Sequence, residues 1–326
     1  MFKWSRGARV AVGALVASTA LLASGCSSSA NSGGSASSTD SSGSGIGSGT
    51  GTKIVAVGAE NEYADVIGQI GGQYVSATGI MSNPATDPHT FEADPKVAQT
   101  VSAAQLIVQN GVGYDDFMSK IEQASGSSSR KVINVQQLLG LPDSTPNPHL
   151  WYKPSTMPVV AKAIADDLSA IDPAHKSSFE ANATTFDASL NSWTQALAKV
   201  KAAYPGAAVA TTEPVADYLL DAAGIKNLTP WAFQADVMNG TDPSPQDVAA
   251  EKALFTGHKV KAFVYNQQVT DSLTQELAGL AKQNNIPIVG VYETMPTPGY
   301  TYQTWMNAEV TALGNALGHG QSAPIL

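Results

Sequence analysis

Short apolar runs recur along the chain from residue 53 onward: "KIVAVGA" (53–59), "YVSATGIM" (74–81), "QLIVQNG" (105–111), "KVINV" (131–135), "AAVATTE" (207–213), "KAFVYNQ" (261–267) and "IPIVGVYE" (286–293). They read as strands. Between them lie amphipathic patterns such as "EYADVIGQIGG", "PKVAQTVSAA", "VADYLLDAAG" and "DSLTQELAGLAKQNN", which read as helices. Alternating strands and helices predict an α/β protein with parallel sheets covered by helices. The alternation stops over 156–204, where no strand is predicted. There the stretch from Asp172 to Pro205 reads as one long helix, capped by Asp172 and opened by Pro173. Phe179, Phe186, Leu190, Trp193 and Leu197 recur at spacings that place them on one buried face. The expected layout is therefore an N-terminal α/β lobe (53–155), a helical region with a long bridging helix (156–205) and a C-terminal α/β lobe (206–326).

The first 52 residues follow another pattern. Lys3, Arg6 and Arg9 precede an apolar run over 10–23 and then "SGC". A basic start, a short apolar centre and small residues before a cleavage point predict a secretory signal over 1–25, too short to span a bilayer. Cys26 is the single cysteine, so no intramolecular disulfide can form. Its place at the end of the leader resembles a bacterial lipoprotein acylation site, which implies a membrane anchor through an N-terminal lipid. Residues 27–52 are almost entirely Ser, Gly, Thr and Ala and read as a flexible tether. The "GIGSGTG" within it is no phosphate loop, because no strand precedes it and no helix follows.

The formal net charge is −9. Cleavage before Cys26 removes three cations and no acids, leaving −12. With no basic run, nucleic acid is not an expected partner.

Two of the five histidines stand in matching frames, "DPHTFEADP" (87–95) and "NPHLWYKP" (147–154). Each is Pro-His-x-aromatic, with a further proline five or six residues on. A preceding proline restricts the backbone, so the imidazole is presented with little entropy left to lose. Rigidly held neutral imidazoles suit metal ligation, and loops beyond the strands' carboxyl ends are where open α/β sheets bind ligands. His89 and His149 are thus the expected metal ligands. Glu213 and Glu293 sit where two second-lobe strands end, followed by proline-containing loops, and are exposed at the same rim. His175, His258 and His319 lie in a polar first turn, a lysine-flanked loop and a Gly-rich tail, and read as solvated.

At these residues the chain resembles the metal-binding lipoproteins of bacterial zinc and manganese ABC importers. The resemblance spans about 53–316 and rests on the stretch from "GGQYVSATGIMSNPATDPHTFEADP" through "VQNGVGYDDFM", on "NPHLWYKP", and on the long helix leading to "VATTE". It implies two βα lobes bridged by one long rigid helix, with the metal in the interlobe cleft. It also implies that His89, His149 and Glu213 are ligands. The fourth family ligand, usually an aspartate after a late strand, falls on Glu293, one methylene longer. Glu60 and Glu62, in "GAENEY" after the first strand, are the alternatives for that place, or acceptors for an imidazole N–H behind the ligands.

Two imidazoles and two carboxylates would neutralise a divalent cation. Bound through one oxygen each, the carboxylates would give a four-coordinate site suited to zinc; a two-oxygen carboxylate would suit manganese. The resemblance implies a non-enzymatic, monomeric solute-binding lipoprotein on the outer face of the cell membrane. It would capture Zn²⁺ or Mn²⁺ as cargo and deliver it to a membrane permease with a cytoplasmic ATPase. The alternatives are a secreted metallohydrolase or a binding protein for an organic solute. No H-E-x-x-H or G-x-S-x-G occurs to favour the first, and the paired histidine frames are unexplained by the second.

Overall fold

The computed structural model describes residues 52–85, 87–296 and 298–326. The expected leader, Cys26 and the tether up to residue 51 lie outside the described residues.

The first half of the fold runs β1 (Ile54–Glu60), α1 (Asn61–Gly71), β2 (Val75–Met81), α2 (Pro95–Ala103), β3 (Leu106–Gln109), α3 (Asp116–Ala124), β4 (Lys131–Asn134), α4 (Val135–Leu138) and α5 (Thr156–Ile171). Helices α6 (Lys176–Ser189) and α7 (Asn191–Ala203) lead to the second half. That half runs β5 (Ala208–Thr211), α8 (Asp217–Ala222), β6 (Lys226–Asn227), α9 (Trp231–Met238), α10 (Pro245–Thr256), β7 (Ala262–Asn266), α11 (Ser272–Gln283), β8 (Ile288–Val291) and α12 (Tyr302–His319). No helix of the described residues is long and apolar enough to cross a membrane.

Each half holds a four-stranded, wholly parallel sheet, in the orders β2-β1-β3-β4 and β6-β5-β7-β8. The two orders are the same. Strands β3 ("LIVQ") and β7 ("AFVYN") are buried along their whole length, as expected of central strands covered on both faces. In both sheets the direction of winding reverses between the first strand and its inner neighbour, which opens a crevice at the strands' carboxyl ends. Glu60 ends β1, Asn266 ends β7, and Glu213 lies two residues past β5.

The bridging segment differs from the single helix expected. It consists of α6 and α7, separated at Leu190, after a 3₁₀ turn over Pro173–His175. At the break the Leu190 N–H bonds to the Asp187 carbonyl, three residues back. The Ser189 hydroxyl donates to the Phe186 carbonyl at 2.6 Å, competing with the helical ladder. Gln303 of α12 donates to that same hydroxyl at 2.8 Å. The break falls where the segment passes from α1 and α5 of the first half to α8 and α12 of the second. The apolar face survives it: Phe179, Phe186, Leu190, Trp193 and Leu197 are all buried. Trp193 meets Tyr302 of α12 edge-on at 5.9 Å. Burying each such aromatic contributes about 1.5–3 kcal/mol, which ties the segment to both halves.

Candidate metal centre

The two histidine frames owe their likeness to the residue before the proline. In "DPH" the Asp87 carboxylate accepts the His89 backbone N–H at 2.8 Å. In "NPH" the Asn147 Oδ1 accepts the His149 backbone N–H at 3.0 Å. Both are Asx turns, in which a short polar side chain bonds the backbone two residues on. Proline occupies the middle position at no cost, since its nitrogen has no hydrogen to place. A 3₁₀ turn includes His89 (Pro88–Thr90) and another follows His149 (Leu150–Tyr152).

Asn147 does more than shape the backbone. Its Oδ1 also lies 2.8 Å from Nδ1 of His149. Because that oxygen only accepts, Nδ1 carries a hydrogen, which leaves Nε2 as the ring nitrogen able to ligate a metal. Asn147 Nδ2 donates to the Pro214 carbonyl at 2.7 Å, joining the His149 loop to the Glu213 loop.

In the cleft, Nε2 of His89 and Nε2 of His149 lie 3.1 and 3.2 Å from the same oxygen, Oε2 of Glu293. Ligand atoms of these three residues all fall within 4.8 Å of one another. Glu213 Oε2 is 3.8 Å from Nε2 of His89 and has no hydrogen-bond partner. His149, Glu213 and Glu293 are buried, while the His89 side chain keeps 24% of its exposure and faces the cleft mouth. Two donors come from each sheet.

The electrostatics follow from that packing. Burial disfavours the charged form of His89, but the charge and hydrogen bond of Glu293, with Glu213 and Asp87 beyond, outweigh it and lift the imidazole to about 9. Burial likewise opposes ionisation of Glu293, yet the two imidazoles overcome it and hold its carboxyl well below the usual range. His149 is pushed down, chiefly by burial. Glu213 is pushed up by burial and by the Glu293 charge. The Glu293 charge thus favours the proton on both His89 and Glu213.

Glu60 and Glu62 are fully buried beside the centre, and no carboxylate oxygen of either makes a hydrogen bond of good geometry. Burial, first, and neighbouring acids raise both. Neither accepts an imidazole N–H; for His149 that place is taken by Asn147. His175 pairs with Asp172 at 2.6 Å and stacks on Tyr74, away from the cleft.

Several residues around the centre were not evident from the sequence. The Gln268 side chain accepts the backbone N–H groups of Glu293 and Thr294 at 2.6 and 2.8 Å. Tyr114 donates to Glu293 Oε2 at 2.9 Å. Asn61 exchanges two bonds with the backbone of Met295, at 2.8 and 2.9 Å. Asn266, the last residue of β7, donates to both Glu213 and Glu293. Only position gave a signal: Asn266 ends a strand, as the acids nearly do.

Two like-ordered parallel sheets, a helical bridge and an imidazole–carboxylate cluster between them define a two-lobed binding protein for a metal cation. The family model described as "Zinc-uptake complex component A periplasmic" matches residues 57–316, and the chain belongs to that family, whose members are solute-binding components of metal ABC importers rather than enzymes. The metal ABC transporter substrate-binding lipoprotein FimA of Streptococcus parasanguinis is 24% identical over 253 residues, covering 72% of this chain and 78% of that protein. The manganese ABC transporter substrate-binding lipoprotein PsaA of Streptococcus pneumoniae serotype 4 is 23% identical over 259 residues, covering 73% and 79%. The cadmium-bound periplasmic metal-binding protein of Candidatus Liberibacter asiaticus shares the fold, with a TM-score of 0.67 at 22% identity over 81% of this chain and 100% of that one.

Proposed function

We propose that His89, His149, Glu213 and Glu293 together capture one divalent transition metal ion, Zn²⁺ or Mn²⁺, for delivery to the permease of an ABC importer driven by a cytoplasmic ATPase. The observation that carries this reading is the meeting of two imidazole nitrogens on one Glu293 oxygen, with an unpartnered Glu213 oxygen alongside. Uncompensated buried carboxylates are costly, and a dication would offset that cost. The names of FimA and PsaA, both lipoproteins of metal importers, point the same way.

On this reading residues 53–155 and 206–326 act as lobes that supply two ligands each, linked by 156–205. Residues 1–25 direct export, and Cys26 with the Ser/Gly-rich segment up to 52 tethers a monomer to the outer face of the membrane. No covalent chemistry is required: the lobes close on the ion, and the permease releases it by separating them. A hydrolase would need a donor position open to water, whereas three of the four ligands are buried. An organic solute would need room between donors, three of which here converge at hydrogen-bond distance.

Metal analysis and titration test the assignment. The metal-free chain should take up one Zn²⁺ or Mn²⁺. Alanine at any of the four positions should weaken binding at least tenfold, about 1.4 kcal/mol, while His175→Ala or His258→Ala changes little. Wild-type affinity in the four variants would overturn it.

A further inference from the structure

Asn266 is fully buried, and its amide has a defined orientation. Oδ1 accepts the Gln268 backbone N–H at 3.0 Å, so the amide nitrogen must face the other way. That nitrogen donates to Glu213 Oε1 at 3.0 Å and to Glu293 Oε1 at 2.7 Å. One NH₂ group thus spends a hydrogen on each of the two carboxylates. The oxygens left over are the two that face the imidazoles: Oε2 of Glu213, without a hydrogen bond, and Oε2 of Glu293. Tyr114 takes one lone pair of the latter at 2.9 Å.

We propose that Asn266 sets the coordination number of the captured ion. By holding one oxygen of each carboxylate, it limits the site to two imidazole nitrogens and two single oxygens, a four-donor set that selects Zn²⁺ over Mn²⁺. The inference rests on the four-ligand reading above and adds the choice of metal.

The reasoning is one of denticity. A carboxylate that binds through two oxygens must bring both to the same distance from the metal. Here both Oε1 atoms are drawn to a shared nitrogen, and each bond is charge-assisted and buried, the stronger kind of hydrogen bond. Turning either carboxylate to a two-oxygen mode would break one of them. Zinc loses nothing by four-coordination, because its filled d shell imposes no geometry and tetrahedral N/O sites are its usual ones. Manganese prefers a larger, oxygen-rich shell, and the pinned carboxylates deny it two of those oxygens.

Cobalt(II) reports the geometry directly, since a tetrahedral ion absorbs visible light far more strongly than a five- or six-coordinate one. The metal-free full chain loaded with Co²⁺ should show the intense tetrahedral bands. In Asn266→Ala the bands should weaken, and the ratio of Zn²⁺ to Mn²⁺ affinity should fall about 10–100-fold, the usual effect of losing a group that orients a ligand. Asn266→Ser, with one hydrogen to donate instead of two, should fall between. Weak bands from stoichiometrically bound Co²⁺ in the wild type would overturn the proposal even if no variant folds. So would an unchanged affinity ratio in Asn266→Ala. Failure of the wild type to bind any metal stoichiometrically would instead remove the underlying four-ligand reading.

Discussion

Nε2 of His89, on the loop after β2, lies 3.1 Å from Oε2 of Glu293, on the loop after β8. This contact joins the two lobes, and at the proposed four-ligand site a proton and a metal would compete for the same nitrogen. His89 titrates at about 9 in the fold against 6.5 ordinarily. Its pairing therefore stabilises the metal-free protein fully below about pH 6.5 and is lost as pH climbs through about 9. Glu293 shifts downward, so its contribution is present above the ordinary carboxylate pKa and is lost only as pH falls through its depressed value.

Metal affinity should accordingly rise with pH between about 6.5 and about 9, by about tenfold per pH unit for each proton displaced. From residue type alone, acid weakening would set in near 6.5; the Glu293 contact moves the window upward. Calorimetry at pH 7.5 in buffers of different ionisation enthalpy should show at least one proton released per ion bound. Affinity that is flat across this range would rule the competition out.

Removing the charge at position 293 should uncouple the site. Glu293→Gln keeps the side-chain length but replaces an oxygen with an NH₂ that confronts the Asn266 amide or an imidazole. Metal affinity should drop at least tenfold, about 1.4 kcal/mol. NMR titration should find the His89 pKa brought down, because its largest raising influence is gone. Glu293→Asp would draw the carboxylate back from Asn266 and both imidazoles, so weakening is expected there too, even though aspartate is the usual family residue.

The buried, unpartnered Glu60 offers a contrasting case. Burial raises its pKa, so its cost to folding grows as pH rises above the ordinary carboxylate range. Glu60→Met should stabilise the metal-free protein by about 1–3 kcal/mol at pH 8, and by less at pH 5. Thermal melts at the two pH values decide the matter; equal effects would mean that the carboxyl is not the source of the strain.

Asn61 acts across the lobes. Its two bonds to the Met295 backbone hold the strand-end loop that carries Glu293. Asn61→Ala should lower stability by about 1–3 kcal/mol and also weaken metal binding. A loss of stability with affinity intact would confine Asn61 to a packing role.

The lipid anchor is tested separately. Cys26→Ser should move the protein from the membrane fraction to the soluble one without altering metal uptake. Retention in the membrane would discard the anchor.

Features decided by neighbours along the chain are legible in the residues alone. Strands such as β3 and β7 were legible because a strand buried on both faces must be apolar throughout. Strand β6 was not, because Lys226–Asn227 is two polar residues long and exists only by pairing with β5. The apolar face of the bridging segment is legible in its spacing, but its break at Leu190 is not, because part of the hydrogen bonding there arrives from Gln303, 114 residues away. The histidine frames were legible because an Asx turn closes within three residues. Which acids those imidazoles meet was not, since a strand-end position places a carboxylate at the rim without aiming it. His149 meets Glu293 across 144 residues, and Asn61 grips Met295 across 234. Only the packing of two sheets against each other brings such groups to hydrogen-bond distance. In that cleft, the same packing raises one imidazole and depresses the carboxylate beside it.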